Sequence, residues 1–281
     1  MSRPFSAARL RASASFVRLT GVSVATFDGM LKQLAGPWEK AQLGKAKAGR
    51  PWDVGGLDDH LLIMLIYYRC YITQEVLGFF YNVNKSAICR AIQRIERLAR
   101  PLIGVERKPK ISRKEAEAPI FDCTEQPIQR PGTDAKQRDH YSGKKKRHTV
   151  KTEYIVTRKG RIVSASPSHP GSHHDLAIRR DGPKLSKKAR LYADSAYQGY
   201  DKEHANLEFP YKKPKNGKLT DDEMEYNRGL SGFRVRVEHR IGRTKRFRIA
   251  AERFRNPLGT HHTKISIVAG LVNLEDGFGP F

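Results

Sequence analysis

The sequence predicts an α/β protein in two parts: an all-helical N-terminal domain, then a mixed sheet flanked by helices. Apolar residues recur at helical spacing from Val22 to about Ile103. From Ala118 onward the pattern changes to short runs rich in β-branched and aromatic residues, separated by turn residues and interleaved with helical stretches. Two of those runs end on an aspartate, Ala118-Pro-Ile-Phe-Asp122 and Arg190-Leu-Tyr-Ala-Asp194. Strand ends are where open α/β sheets place their ligands.

Taken in order, residues 1–20 carry little periodicity and are expected to be a flexible segment. Phe27, Met30, Leu31 and Leu34 then mark a helix that Gly36-Pro37 should end. Lys45 to Gly56 reads as a connector. Asp58–Tyr71 is apolar on most faces, so it should sit at the centre of a helical core. Thr73–Phe80, the turn Tyr81-Asn-Val83 and the run Asn84–Leu98 read as a helix-turn-helix, with Val76, Leu77 and Phe80 facing Ile88, Ile92 and Ile95. Lys85, Ser86, Cys89 and Arg90 open its second helix, the end that enters a DNA major groove in that motif. The helical DNA-binding domain is thus placed at 21–103. Pro101 to Pro119 is a charged connector, giving a linker at 104–118 before a domain over 119–281.

In that second domain, Ala118–Asp122 is the first strand. His148–Thr157 is the second, Arg158-Lys-Gly160 a hairpin turn, and Arg161–Ser166 the strand that pairs back. A short helix over 171–181 leads to the strand Arg190–Asp194. Thr220-Asp-Asp-Glu223 is a capping box, so a helix should start there and run past Gly229 and Gly232, with a break at those glycines as one option, through Glu238 to about Arg246. Ile265–Leu274 is a last apolar helix. A right-handed crossover would lay the fourth strand parallel to and beside the first, bringing Asp122 and Asp194 together.

The chain has 281 residues, with 53 Lys and Arg against 29 Asp and Glu, a formal charge of +24. That excess exceeds what solubility needs and points to a polyanionic partner, nucleic acid first. A ribosomal or chromatin-type scaffold without chemistry is the plainer alternative. The mean hydropathy is −0.62, and no apolar stretch reaches the roughly 18 residues a membrane span needs. Three cysteines without metal-like spacing (Cys70, Cys89, Cys123) fit a reducing compartment. The first ten residues have arginines but no apolar run after them, so no secretory signal is expected.

The chemistry points to Asp122, Asp194 and Glu238. Glu238 lies in Phe233–Arg248, where nearly every other polar residue is positive, and Arg228–Arg255 holds ten Lys or Arg against two Glu. On a helix, Arg234, Glu238 and Lys245 share a face, beside an apolar stripe of Phe233, Val237 and Ile241. Three carboxylates together are unfavourable unless a cation neutralises them. Oxygen-only donors favour Mg²⁺ or Mn²⁺. Two such ions on a phosphodiester activate the attacking oxygen and stabilise the leaving one.

The chain resembles the DDE-type transposases of bacterial insertion sequences, within the RNase H-like superfamily, and most closely the group described as DDE superfamily endonucleases. The likeness runs from about Leu19 to Leu274. It rests on Leu19-Thr-Gly-Val-Ser-Val-Ala-Thr-Phe27, Phe121-Asp-Cys-Thr-Glu125, Tyr141-Ser-Gly-Lys-Lys-Lys146 with His148-Thr149, Gly171-Ser-His-His-Asp175, Ala193-Asp-Ser-Ala-Tyr-Gln-Gly199 and Val237-Glu-His-Arg-Ile-Gly-Arg-Thr-Lys245. It implies that Asp122, Asp194 and Glu238 are the catalytic acids and hold two Mg²⁺ or Mn²⁺ ions. It implies an RNase H-like sheet, terminal inverted repeats and target DNA as double-stranded partners, at least a dimer on DNA, and a cytoplasmic, nucleoid-associated bacterial protein. Relatives carry a Tyr, Arg, Glu, Lys pattern around the last acid. Here Arg234, Glu238 and Lys245 match it, Ser231 stands at the tyrosine position, and Tyr226 is a nearby substitute.

Candidate DNA contacts are Lys85, Ser86 and Arg90 in the helix-turn-helix, Lys144, Lys145, Lys146 and Arg147 in a basic run, and Arg234, Arg240, Arg243, Lys245 and Arg246 around Glu238. The basic run and the stripe read equally as solvated charge. His173 and His174 read as capping residues and Asp175 as a cap or a further metal ligand. Glu125 is expected to orient a metal-bound water or to bond a strand end, and Trp38 and Trp52 to be core. Two other functions fit the residues: a metal-dependent endonuclease that does not join ends, and a DNA-binding regulator that kept the fold without the chemistry.

Overall fold

The computed structural model describes residues 5–43, 54–107 and 117–279. The connector expected at 45–56 falls mostly outside them, as do Trp52 and residues 108–116 of the linker. The described residues divide into two compact units. One lies within Met1–Gly104, Lys245–Glu252 and Thr263–Phe281, the other within Val105–Thr244 and Arg253–His262. Two late pieces therefore pack with the helical unit, whereas the sequence pattern suggests one domain over 119–281.

The helical unit is built on α1 (Ala7–Arg11), α2 (Phe16–Thr20), α3 (Val24–Leu43), α4 (Leu57–Cys70), α5 (Gln74–Tyr81) and α6 (Lys85–Ile103). Helix α4 is buried from Asp59 to Tyr68, as its all-round apolar character requires. The N-terminal segment expected to be flexible instead forms α1 and α2. Leu10 and Phe16 are buried, and the Ala7 amide donates to the buried Asp59 carboxylate at 2.9 Å. Helix α3 runs through Pro37 rather than stopping there. An interior proline removes one helical hydrogen bond and crowds the carbonyl four residues back; against that cost the next residue, Trp38, sets its ring edge-on to His60 of α4.

The helix-turn-helix forms as expected, with one rotation. Thr73 caps α5 by accepting from the Val76 amide, and Asn84 caps α6 by accepting from the Ala87 amide at 2.8 Å. Between them Asn82 takes a left-handed conformation at φ 53°. Gly78 faces the turn, where a Cβ would lie 2.6 Å from the Val83 carbonyl oxygen. That close approach turns Leu77, Gly78 and Tyr81 inward and leaves Val76 and Phe80, expected in the interface, on the exposed side. Across the same unit, Tyr68 and Lys264 both bond the buried Glu96 carboxylate, at 2.8 and 3.0 Å.

The second unit contains β1 (Ile120–Pro127), α7 (Asp134–His140), β2 (Tyr141–Ser142), β3 (Arg147–Val156), β4 (Ile162–Ala165), β5 (His169–Pro170), α8 (Asp175–Arg180), β6 (Leu191–Tyr192) and β7 (Leu207–Glu208). Helix α9 follows as Asp221–Lys245, and α10 (His261–Glu275) closes the chain. The sheet order is β2-β3-β1-β6-β7, with β4 and β5 also paired to β3. Strands β1 and β3 are antiparallel, β1 and β6 parallel, β6 and β7 parallel. This is the RNase H-like mixed sheet flanked by helices. Its core gathers Phe121, Ile155, Val163, Leu191, Ala193, Tyr197 and Tyr200. Helix α9 is continuous across Gly229 and Gly232. Its capping box is formed both ways, the Thr220 amide donating to Glu223 at 2.9 Å and the Glu223 amide to the Thr220 hydroxyl at 3.2 Å.

Candidate active site and nucleic-acid interface

Register places the first two acids. Ile120 of β1 pairs in parallel with Tyr192 of β6. Two residues further along each strand direction come Asp122, which lies inside β1 opposite Tyr154 of β3 rather than ending the strand as the sequence pattern suggests, and Asp194, just past the end of β6. Each is held by its own backbone: Asp122 Oδ1 accepts from the Cys123 amide at 2.8 Å, and Asp194 Oδ1 from the Ser195 amide as the cap of a 3₁₀ turn over Ser195–Tyr197. Burial pushes the Asp122 carboxyl up to about 6. The Cys123 amide and the Arg234 charge oppose that rise, while Asp194 and Asp175 add to it.

Helix α9 brings the third acid. Phe233 stacks face to face on Tyr192, ring centroids 4.8 Å apart and planes 7° from parallel. Val237 and Ile241 are buried beside it, which confirms the apolar stripe. That seat puts Arg234 and Glu238 beside Asp194. Arg234 Nη2 lies 3.6 Å from Asp194 Oδ2 and 3.5 Å from Glu238 Oε1. One guanidinium thus pairs with two of the acids and acts on the third through its charge.

A supporting layer lies beneath. Lys151 of β3 donates to Asp175 Oδ1 at 2.9 Å and to the His173 carbonyl at 2.8 Å, and reaches Glu125 at 3.8 Å. Glu125 also accepts from the Thr149 hydroxyl at 2.8 Å, so it bonds a neighbouring strand. His174 caps α8 through its ring, accepting from the Leu176 amide, and Asp175 pairs with Lys151. One helical turn after Asp175, the fully buried Arg179 pairs with Glu153 at 2.6 Å, donates to the Pro183 carbonyl and lies over the Phe121 ring. Sequence reasoning singles out neither Lys151 nor the Glu153–Arg179 pair. The available signal is charge at inward positions of a strand that otherwise reads Val, Thr, Tyr and Ile.

The candidate DNA contacts fall into two groups. Lys85, Ser86 and Arg90 are exposed at the start of α6. Lys144, Lys145 and Lys146 are exposed in the tight turn between β2 and β3, with Lys146 left-handed at φ 52°, and Arg147 is exposed at the start of β3. Lys245 and Arg246 are also exposed. Arg240 and Arg243 are half-buried, Arg240 lying against Gly160 of the β3–β4 turn, and Arg234 is engaged with the acids. Tyr226 gives its hydroxyl to Glu208. It lies twelve residues before Glu238, about 18 Å along the helix at 1.5 Å per residue, and so does not take the missing tyrosine's place.

A sheet with neighbouring aspartates on two parallel strands, a third acid on a helix packed over it and a helix-turn-helix unit together define an endonuclease class that acts on DNA. The chain belongs to the family described as DDE superfamily endonuclease, which it matches over residues 121–273. Residues 54–100 match the helix-turn-helix of DDE superfamily endonuclease. It is 32% identical, over 92% of this chain and 94% of the relative, to a protein of Microchaete diplosiphon named a probable transposase for insertion sequence element IS702. A Streptomyces albus G protein, 25% identical over 79% of this chain and 81% of its own length, carries the same kind of name for element IS112. No solved structure matches.

The family uses divalent metal ions. The donors here fit such an ion in kind, since all are carboxylate oxygens and each aspartate commits one oxygen to a backbone amide. In spacing they are not drawn together: among the described residues no three His, Cys, Asp or Glu side chains are grouped to hold one metal ion. Among those residues no helix is long and apolar enough to cross a membrane.

Proposed function

We propose that this protein is an insertion-sequence transposase that binds the terminal inverted repeats of its element and catalyses metal-dependent DNA strand cleavage and strand transfer. The observation that carries this reading is the Ile120–Tyr192 register, which sets Asp122 beside Asp194 with Glu238 joined to them through Arg234. The names of the relatives support it.

Asp122, Asp194 and Glu238 are the residues that would hold Mg²⁺ or Mn²⁺, two ions per site. Such ions supply activation of the attacking oxygen and stabilisation of the leaving one. The chain's own residues prepare that chemistry. The two backbone amides fix the aspartate rotamers, the Phe233–Tyr192 stack seats the glutamate, and Lys151 offsets the Asp175 and Glu125 charges that would otherwise add to the site. Lys85, Ser86 and Arg90 read bases from the helical DNA-binding domain of residues 21–103. Lys144, Lys145, Lys146, Arg147, Lys245 and Arg246 hold phosphates, with a lesser part for the half-buried Arg240 and Arg243 and for Arg234, which is engaged with the acids. The active form is at least a dimer on DNA, because two ends must be cut together, and it works in the cytoplasm on the nucleoid.

The test is incubation with end-labelled DNA carrying the inverted repeats that flank the gene, with Mg²⁺ and a target plasmid. Labelled ends joined to the plasmid are expected. Nicked ends without joining would instead make the protein an endonuclease, and binding without nicking a regulator.

A further inference from the structure

We infer that Arg234 is an exchangeable counter-ion of the acid site, a positioning residue that holds the acids apart when no metal is bound and is released toward DNA when metal enters. The inference rests on the reading of Asp122, Asp194 and Glu238 as the metal-binding acids.

Three carboxylates brought to one place repel each other, and a cation must offset them. Arg234 supplies that cation. Its Nη2 is nearly equidistant from Asp194 Oδ2, at 3.6 Å, and Glu238 Oε1, at 3.5 Å. The guanidinium therefore pairs with two carboxylates that would share a divalent ion. Among the described residues no three acids close around one point. Only a fifth of the Arg234 side chain is exposed, whereas Asp194 and Glu238 are 41% and 53% exposed. The acids are thus more open to an incoming ion than the arginine that pairs with them. Lys151 does not serve the same end, because its ammonium is committed to Asp175, Glu125 and the His173 carbonyl.

A divalent ion and a guanidinium repel at such distances, so one excludes the other. Once displaced, Arg234 remains on α9 beside the acids, with its charge unpaired and a phosphate as its natural partner. Metal entry and DNA binding are then coupled, each favouring the other by the same factor.

The test is a Mn²⁺ titration of the full-length, DNA-free protein, with free Mn²⁺ read by electron paramagnetic resonance. Arg234→Gln should bind Mn²⁺ more tightly than wild type, by roughly tenfold for a coupling of ordinary size. Arg234→Lys, which keeps the charge, should stay near wild type. Adding DNA should tighten Mn²⁺ binding in the wild type and leave Arg234→Gln unchanged, a difference that a merely structural role would not produce. Equal or weaker Mn²⁺ binding by Arg234→Gln overturns the proposal. Asp122→Asn separates the exchange from the acid assignment beneath it. If it binds Mn²⁺ as well as wild type, the three-acid reading itself fails; if it loses Mn²⁺ while Arg234→Gln matches wild type, only the exchange fails. Should Arg234→Gln not fold, the wild-type protein still decides. Its Arg234 side-chain NMR signal, assigned through Arg234→Lys, must shift on addition of Mg²⁺, and an unmoved signal overturns the exchange.

Discussion

Ile120 and Tyr192 face each other across two parallel strands, and two residues beyond each of them stands an aspartate. This single register decides the site. A slip by one residue would turn Asp122 or Asp194 to the opposite face of the sheet. The Phe233–Tyr192 stack ties the same pairing to α9. Phe233→Ala should therefore impair cleavage through a misplaced Glu238 while leaving repeat binding by the helix-turn-helix unit unchanged. Equal loss of both activities would show that the stack serves the whole fold rather than the site.

In the helical unit, Gly78 stands where a Cβ would lie 2.6 Å from a backbone oxygen that cannot move without opening the turn. Gly78→Ala should cost about 1–3 kcal/mol, as overpacking does, and weaken DNA binding with it. A thermal melt indistinguishable from wild type would contradict the close approach.

Base contacts specify and phosphate contacts position. The double variant Lys85→Ala/Arg90→Ala should lose discrimination between repeat and random DNA more than it loses affinity for random DNA. The exposed basic run Lys144, Lys145, Lys146 and Arg147 should behave differently. Alanine at all four should weaken every DNA alike and lower the slope of log affinity against log salt by about one unit for each phosphate no longer held. Competition binding at several salt concentrations reads both, and an unchanged slope would make the run solvated charge.

The buried Glu153 supplies a pH test. Burial raises its carboxyl from 4.5 to about 7, against the opposing pull of Arg179. The folded state thus holds this proton more tightly than the unfolded chain. Its contribution to stability is full below about 4.5 and is lost as pH rises through about 7. Melts of the metal-free protein should show the wild type losing stability relative to Glu153→Gln between pH 5 and pH 8. Parallel profiles for the two proteins would contradict this.

Much of this was legible in the residues. The capping box at Thr220 and Glu223, the turn at Arg158–Gly160 and the apolar stripe on α9 follow from local chemistry that acts at short range, and the parallel placement of the two aspartate strands from the handedness of the crossover between them. Other features depend on contacts made at a distance. Pro37 does not stop α3 because Trp38 packs on α4. Val76 and Phe80 face outward because Gly78 must approach the turn. Helices α1 and α2 are too short to show a period and are held by Asp59 and by buried Leu10 and Phe16. Helix α7 has no buried residue to mark it. The pairing of Arg234 with Asp194 joins residues forty positions apart, which spacing along one helix cannot foretell.

The central claim is that Asp122, Asp194 and Glu238 perform strand cleavage and do not merely hold the fold. The most direct measurement compares repeat-DNA cleavage in Mg²⁺ with repeat-DNA binding for Asp122→Ala, Asp194→Ala and Glu238→Ala, side by side on preparations with matched melting behaviour. Cleavage should fall to background in all three while binding stays near wild type. Near-wild-type cleavage by any one of them would contradict the claim for that residue.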